Sequence, residues 1–141
     1  MRVLAFVLVL LLGTQSAFAV EPVPTPRKIF FATGSTRGTI GGHVLRGARD
    51  LYSLAAGAGQ LMTLTLTAPD DNAVFQVYEP DTSVVRDADG VLEFKGTPLP
   101  GAGAAEDTTR WTGRLPRAGT YLIVVGSTRG NARYSMDIKI E

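Results

Sequence analysis

The sequence predicts an all-β fold: a single antiparallel β-sandwich, jelly-roll-like, of about eight strands. Three observations carry this. In the last stretch, Tyr134, Met136, Ile138 and Ile140 fall on one side, and Arg133, Ser135, Asp137, Lys139 and Glu141 on the other. Side chains of an extended chain point to opposite faces with period two, so this is a strand with one dry and one wet face. Short runs of the same kind recur along the chain with turn residues between them, the spacing of a sandwich. No helix of ordinary length fits anywhere after residue 20.

Taken in order, residues 1–19 read as a leader. Arg2 supplies a positive start, Val3–Leu12 is almost wholly apolar, and Ala17-Phe18-Ala19 is an A-x-A cleavage pattern. The apolar run is too short for a membrane span, which needs roughly 20 residues, so cleavage after Ala19 and export are expected. The sequence has no cysteine, which argues against a lipid-anchored lipoprotein, and the mature protein is expected to be free of the membrane, in the periplasm or secreted. Residues 20–28, rich in proline, are expected to be a flexible lead-in, and 29–141 the sandwich domain. A chain of that size buries about two-thirds of its surface on folding, enough for a core without disulfides.

Ile29–Phe31 reads as a short first strand. Thr39–Leu45 follows, with Ile40, Gly42 and Val44 on one face and His43 on the other, and then Asp50–Ala55. In Gln60–Thr67, Met62, Leu64 and Leu66 oppose Thr63, Thr65 and Thr67, a half-buried strand rich in β-branched residues. Ala73–Tyr78 ends at Pro80. Val84–Arg86 and Val91–Phe94 flank Asp89-Gly90, a hairpin signal because glycine accepts the positive φ such turns need. Thr97–Asp107 has no apolar period and reads as a surface loop. Trp111, Gly113 and Leu115 lead into a turn at Pro116–Gly119. Tyr121–Val125 is apolar on both sides and should be central in its sheet. The loop GSTRGNA is expected to join it to the final strand as a hairpin with a projecting tip, giving a three-strand unit.

Once Arg2 leaves with the leader, 13 Lys and Arg balance 13 Asp and Glu. Neutrality argues against nucleic acid or an anionic membrane as partner. Ten of those 13 cations are arginine, which favours bidentate pairing with carboxylates and stacking on aromatic rings.

Residues 38–66 (GTIGGHVLRGARDLYSLAAGAGQLMTLTL), 74–80 (VFQVYEP) and 115–140 together resemble the bacterial pre-peptidase C-terminal type of β-sandwich. Within that group, the run Trp111, Gly113, Leu115, Pro116, Gly119, Tyr121 is similar to the periplasmic inhibitors of g-type lysozyme. The resemblance implies a non-catalytic exported protein that blocks a muramidase cleft with a loop. Its alternative implication is an accessory or adhesion module binding glycan or protein. Lysozyme-inhibitor families share a Ser-Gly-x-Tyr or Ser-Gly-x-x-Tyr motif whose serine is implicated in reaching the cleft. Here the run is Ala118-Gly119-Thr120-Tyr121, without that hydroxyl.

No catalytic constellation is visible. His43 is the only histidine, it lies mid-strand, and no G-x-S-x-G elbow meets it. One histidine and no cysteine leave no His-based zinc site. Asp87-Ala88-Asp89-Gly90 and Asp70-Asp71-Asn72 read as turns rather than calcium loops, and no metal or cofactor is expected. GSTRG occurs twice, at 34–38 and 126–130, without the ending of a phosphate loop. An arginine on such a tip could pair with a lysozyme's catalytic carboxylate and keep the sugar out. Arg129 is the preferred candidate, with Ser127 beside it and Arg114, Arg117, Gly119 and Tyr121 as expected further contacts. Of these, Tyr121 fits a core tyrosine closing a strand corner better than it fits a contact.

Overall fold

The computed structural model describes residues 19–141, so the expected leader, Ala19 apart, lies outside the described residues. Ten strands and no helix are present among them: β1 (Arg27–Lys28), β2 (Arg37–Val44), β3 (Arg49–Ala56), β4 (Leu61–Thr67), β5 (Ala73–Tyr78), β6 (Ser83–Arg86), β7 (Leu92–Lys95), β8 (Arg110–Arg114), β9 (Gly119–Ser127) and β10 (Ala132–Ile140). Two four-stranded sheets, ordered β1-β3-β9-β5 and β2-β10-β4-β8, pack face to face. Met62, Leu64, Phe75, Ile123, Val125, Met136 and Ile138, the inward positions of four strands, are all at most 1% exposed.

β9 is central and apolar on both faces, as its sequence requires. Its second face is dry because the β6–β7 hairpin folds over it. Leu122 and Val124 are buried with Leu51 and Tyr78, and Val84 and Phe94 pack on them. The hairpin turns where Asp-Gly predicts, with Gly90 at φ 80° and the Asp87 carboxylate accepting from the Asp89 and Val91 amides at 2.9 and 2.8 Å.

Strand pairing and two segments depart from the sequence reading. β9 and β10 are not a hairpin: β9 pairs with β3 and β5, β10 with β2 and β4, and β8 with β4. GSTRGNA therefore crosses between sheets, and the expected three-strand unit is divided. Alternation states which face of a strand is dry, but two sheets closing one core look alike to it.

The segment 97–107 is not a free surface loop. Leu99 and Ala102 are buried, and the Val77 amide donates to Ala102 O while the Leu99 amide donates to Val77 O (2.9 and 2.8 Å). The segment thus covers the open edge of β5, which an exposed strand would otherwise offer to other chains. The first strand lies at Arg27–Lys28, inside the expected lead-in, and pairs parallel with β3. Ile29 follows it as a plug into the core, its amide donating to Ser53 O at 2.9 Å. Eight of the ten strands build the two facing sheets, and β6 and β7 form a small sheet of their own.

Candidate functional site

β9 divides the candidate residues between its two ends. It is nine residues long, so at about 3.3 Å per residue its ends stand roughly 26 Å apart. Arg114, Arg117, Gly119 and Tyr121 lie at the entrance. Ser127 and Arg129 lie at the exit. The two sets do not form one site, and Arg114 and Arg117 are not neighbours of Arg129.

At the entrance, the side chains hold the fold. Tyr121 is fully buried; its hydroxyl donates to Arg117 O at 2.6 Å and accepts from the Arg117 amide at 3.3 Å, closing the strand corner. A Cβ on Gly119 would stand 2.7 Å from Pro80 Cβ and Cγ, which explains the glycine. The Arg117 guanidinium meets Glu79 and Asp81, both at 3.2 Å, and Pro80 O. Arg114 donates to Gly59 O at 2.9 Å. Trp111 lies along Gly113, and its indole N–H donates to Pro100 O at 2.8 Å, pinning segment 97–107. Trp111, Gly113, Gly119 and Tyr121 thus each have a packing task, as does Leu115, which is 1% exposed, while Pro116 is exposed.

The exit is different. Gly126–Gly130 turns outward, with Thr128, Arg129 and Gly130 exposed. Asn72, 5% exposed, braces the turn: its side-chain amide donates to Arg129 O (3.1 Å) and Asn131 O (3.0 Å), and its main-chain carbonyl accepts from the Thr128 amide (2.9 Å). Ser127 Oγ donates to Gly130 O at 2.6 Å, so it shapes the turn rather than facing a partner. The Arg129 guanidinium donates to Asp70 O.

Two further arginines reach this turn. Arg49 stands opposite Gly126 in the β3–β9 register, and its guanidinium lies where a Gly126 side chain would be. Arg46 is held by its amide, which donates to Asn131 Oδ1 at 2.9 Å. Arg46, Arg49 and Arg129, with Ser127 and Thr128, line a groove of ≈ 410 Å³. None of the three guanidinia pairs with a carboxylate among the described residues. Three unneutralised planar forks around one concavity suit a carboxylate or another anionic group.

Arg46 and Arg49 were not legible as site residues. They bracket the turn at Gly47-Ala48, and only the pairing of β3 with β9 brings that turn to the GSTRG loop. The two copies of GSTRG do not cooperate. Arg37 pairs with Lys139 at one end of β10, while Arg129 precedes its other end.

His43 is exposed on β2 opposite Arg133.

Among solved structures, the chain is similar to the Aeromonas hydrophila PliG, a periplasmic inhibitor of g-type lysozyme. The two are 26% identical, with a TM-score of 0.64, over 83% of this chain and 96% of that one. The Salmonella Typhimurium PliG, also described as a periplasmic inhibitor of g-type lysozyme, matches at 19% identity and TM-score 0.56 over 84% and 100%. The pre-peptidase C-terminal domain of a Bacillus anthracis collagenase matches at 12% identity and TM-score 0.52 over 84% and 99%. No protein-family signature matches the chain, and no curated protein matches it.

Proposed function

We propose, from a chain that shares its β-sandwich with periplasmic g-type lysozyme inhibitors and a pre-peptidase C-terminal domain, that it is a non-catalytic periplasmic inhibitor of a lysozyme-like muramidase. Its partner is a protein, and the exit turn of β9 is the part that enters the cleft. A muramidase cleft holds a catalytic carboxylate. Arg129, with Arg46 and Arg49 behind it, would donate paired hydrogen bonds to that carboxylate and hold the place of the sugar. A desolvated contact of this kind can carry much of an interface's energy.

The observation that supports this reading is the groove at the exit of β9: three arginines without a carboxylate partner among the described residues, with Arg129 on a loop braced by Asn72. The entrance is the weaker alternative, because Arg117 is already paired with Glu79 and Asp81 and Ala118 has no hydroxyl to offer. Rigidity matters because a contact group already in its bound position loses less entropy on association.

The test is direct. Purified protein is mixed with g-type, c-type and i-type lysozymes and muramidase activity is followed. Loss of activity with one type supports the reading and names the target. Full activity of all three at micromolar protein excess retires it.

A further inference from the structure

The near balance of charge, 14 Lys and Arg against 13 Asp and Glu, conceals a separation. Residues 70–107 hold nine of the 13 acidic side chains but only two cations, Arg86 and Lys95. The rest of the described chain carries 11 cations against four acids.

Five of those cations point outward from the sheet β2-β10-β4-β8: Arg37, Arg110, Arg114, Arg133 and Lys139. Asp137 is the one carboxylate among the outward strand positions, and it accepts from Thr39 Oγ1 at 2.5 Å. Glu141, just past β10, takes Lys139 at 2.6 Å. Arg37, Arg110 and Arg133 have no ion pair among the described residues.

Register interleaves these charges with hydroxyls. One row across the four strands reads Arg37, Lys139, Thr63, Thr112, and the next reads Thr39, Asp137, Thr65, Arg110. Ser135 and Thr67 pair in the row after that. A shallow groove of ≈ 410 Å³ lies over the first two rows. Neighbouring strands are about 4.8 Å apart, so in the first row two cations stand beside two hydroxyls, and in the second Arg110 stands beside Thr65.

We infer that this face binds a linear anionic polysaccharide bearing carboxylates on its rings. Guanidinia would pair with the carboxylates and the threonine rows would exchange hydrogen bonds with ring hydroxyls. Charge complementarity alone would admit other polyanions, but the remaining chemistry does not favour them. No Phe, Tyr or Trp points outward here to stack the bases of a single strand. Leu61, at the margin of β4, is the only large apolar side chain facing out, whereas a bilayer-binding surface needs an apolar face to insert.

Polygalacturonate serves as the probe, with neutral dextran, a single-stranded oligonucleotide and anionic phospholipid vesicles as comparisons. Binding is measured at about 0.02 M and about 0.15 M salt, where screening lengths differ by more than twofold. Polygalacturonate should bind, weaken with salt, and exceed the oligonucleotide and the vesicles. Replacing Arg37, Arg133 and Lys139 together by serine should lower its affinity at least tenfold and flatten the salt dependence. The same triple variant should inhibit muramidase as well as the parent does, and Arg129→Ala should bind polygalacturonate normally, which separates this face from the inhibitory turn. No binding at the lower salt overturns the inference. So does equal or tighter binding to the oligonucleotide or vesicles, or salt-sensitive self-association of the protein alone, which would assign the face to a second copy.

Discussion

The guanidinium of Arg49 occupies the side-chain space of Gly126: a Cβ built on Gly126 would stand 3.1 Å from Arg49 Cδ and Nε and 3.2 Å from Cζ. The two residues are Cα partners in the β3–β9 ladder. The missing side chain on β9 thus becomes the seat of a cation on β3.

Gly126→Ala should therefore displace Arg49 without unfolding the sheet. Glycine inside a strand costs about 0.5–1 kcal/mol relative to alanine, which offsets part of the crowding, so stability should change by less than about 1 kcal/mol. Inhibition should weaken by about tenfold, ~1.4 kcal/mol. Urea denaturation and muramidase inhibition curves, taken on the same preparation, check both halves. Undiminished inhibition would remove Arg49 from the proposed site.

The two ends of β9 can be told apart by paired substitutions. Arg129→Ala should cost inhibition at least tenfold and leave the unfolding midpoint nearly unchanged, since Arg129 is exposed. Arg117→Ala should do the reverse. Its carboxylate pairs are partly exposed, at 48% for the arginine, so a loss of about 0.5–1 kcal/mol in stability is expected. Lys139→Ala is the control, with an effect on inhibition smaller than that of Arg129→Ala. If Arg117→Ala proves the more damaging to inhibition, the entrance is the contact end.

What the sequence could and could not reveal follows from the physics of strands. Period two exposed the inner faces of β4 and β10, and the Asp-Gly pair marked its own turn, because each depends on local sequence. It also singled out Arg129 as an arginine on a tip. It could not place Arg49 beside Gly126, because strand partners are chosen by long-range register. The same ignorance made GSTRGNA look like a hairpin. Tryptophan-to-tyrosine spacing pointed to the fold and to Tyr121 as a corner residue, whereas the groups its hydroxyl meets needed hydrogen-bond partners and not spacing.

Tyr121→Phe tests that corner. The substitution removes the hydroxyl that bonds both Arg117 backbone groups and leaves the ring packed. A net hydrogen bond contributes about 0.5–1.5 kcal/mol, and leaving a buried partner unpaired costs about 1–3 kcal/mol. A loss of about 1–3 kcal/mol in urea unfolding is expected, with inhibition preserved at temperatures where the protein is folded. A neutral effect on stability would show that the corner bonds are not limiting.

Asn72→Ala should uncouple the position of Arg129 from its presence. The Asn72 amide is the brace on Arg129 O and Asn131 O. Without it, amides from Thr128 to Asn131 should exchange with solvent faster and inhibition should fall, although Arg129 remains. Hydrogen exchange and inhibition read the two effects independently. Faster exchange with full inhibition would mean that the turn can be flexible and still bind.

The alkaline limb of stability should belong largely to Tyr134. Its hydroxyl is buried, donates to the Asp50 carboxylate at 2.5 Å and meets the Tyr52 hydroxyl at 2.5 Å. Arg27 completes the group, donating to Tyr52 Oη at 2.7 Å, pairing with Asp50 at 3.3 Å and lying 4.6 Å above the Tyr52 ring centre. Burial first, then the bonds to Asp50 and Tyr52, pushes the Tyr134 phenol well above its ordinary range. In the unfolded chain the phenol ionises near pH 10. Above that pH the unfolded state binds fewer protons than the folded one, so stability falls as pH rises, by up to about 1.4 kcal/mol per pH unit. Below about pH 10 the contribution is fully present. Tyr134→Phe should lower stability at about pH 8 by removing the bond to Asp50, and should flatten the decline between about pH 10 and pH 11. Urea midpoints measured across that range give the slope. An alkaline slope equal to the parent's would place the responsible proton on another group.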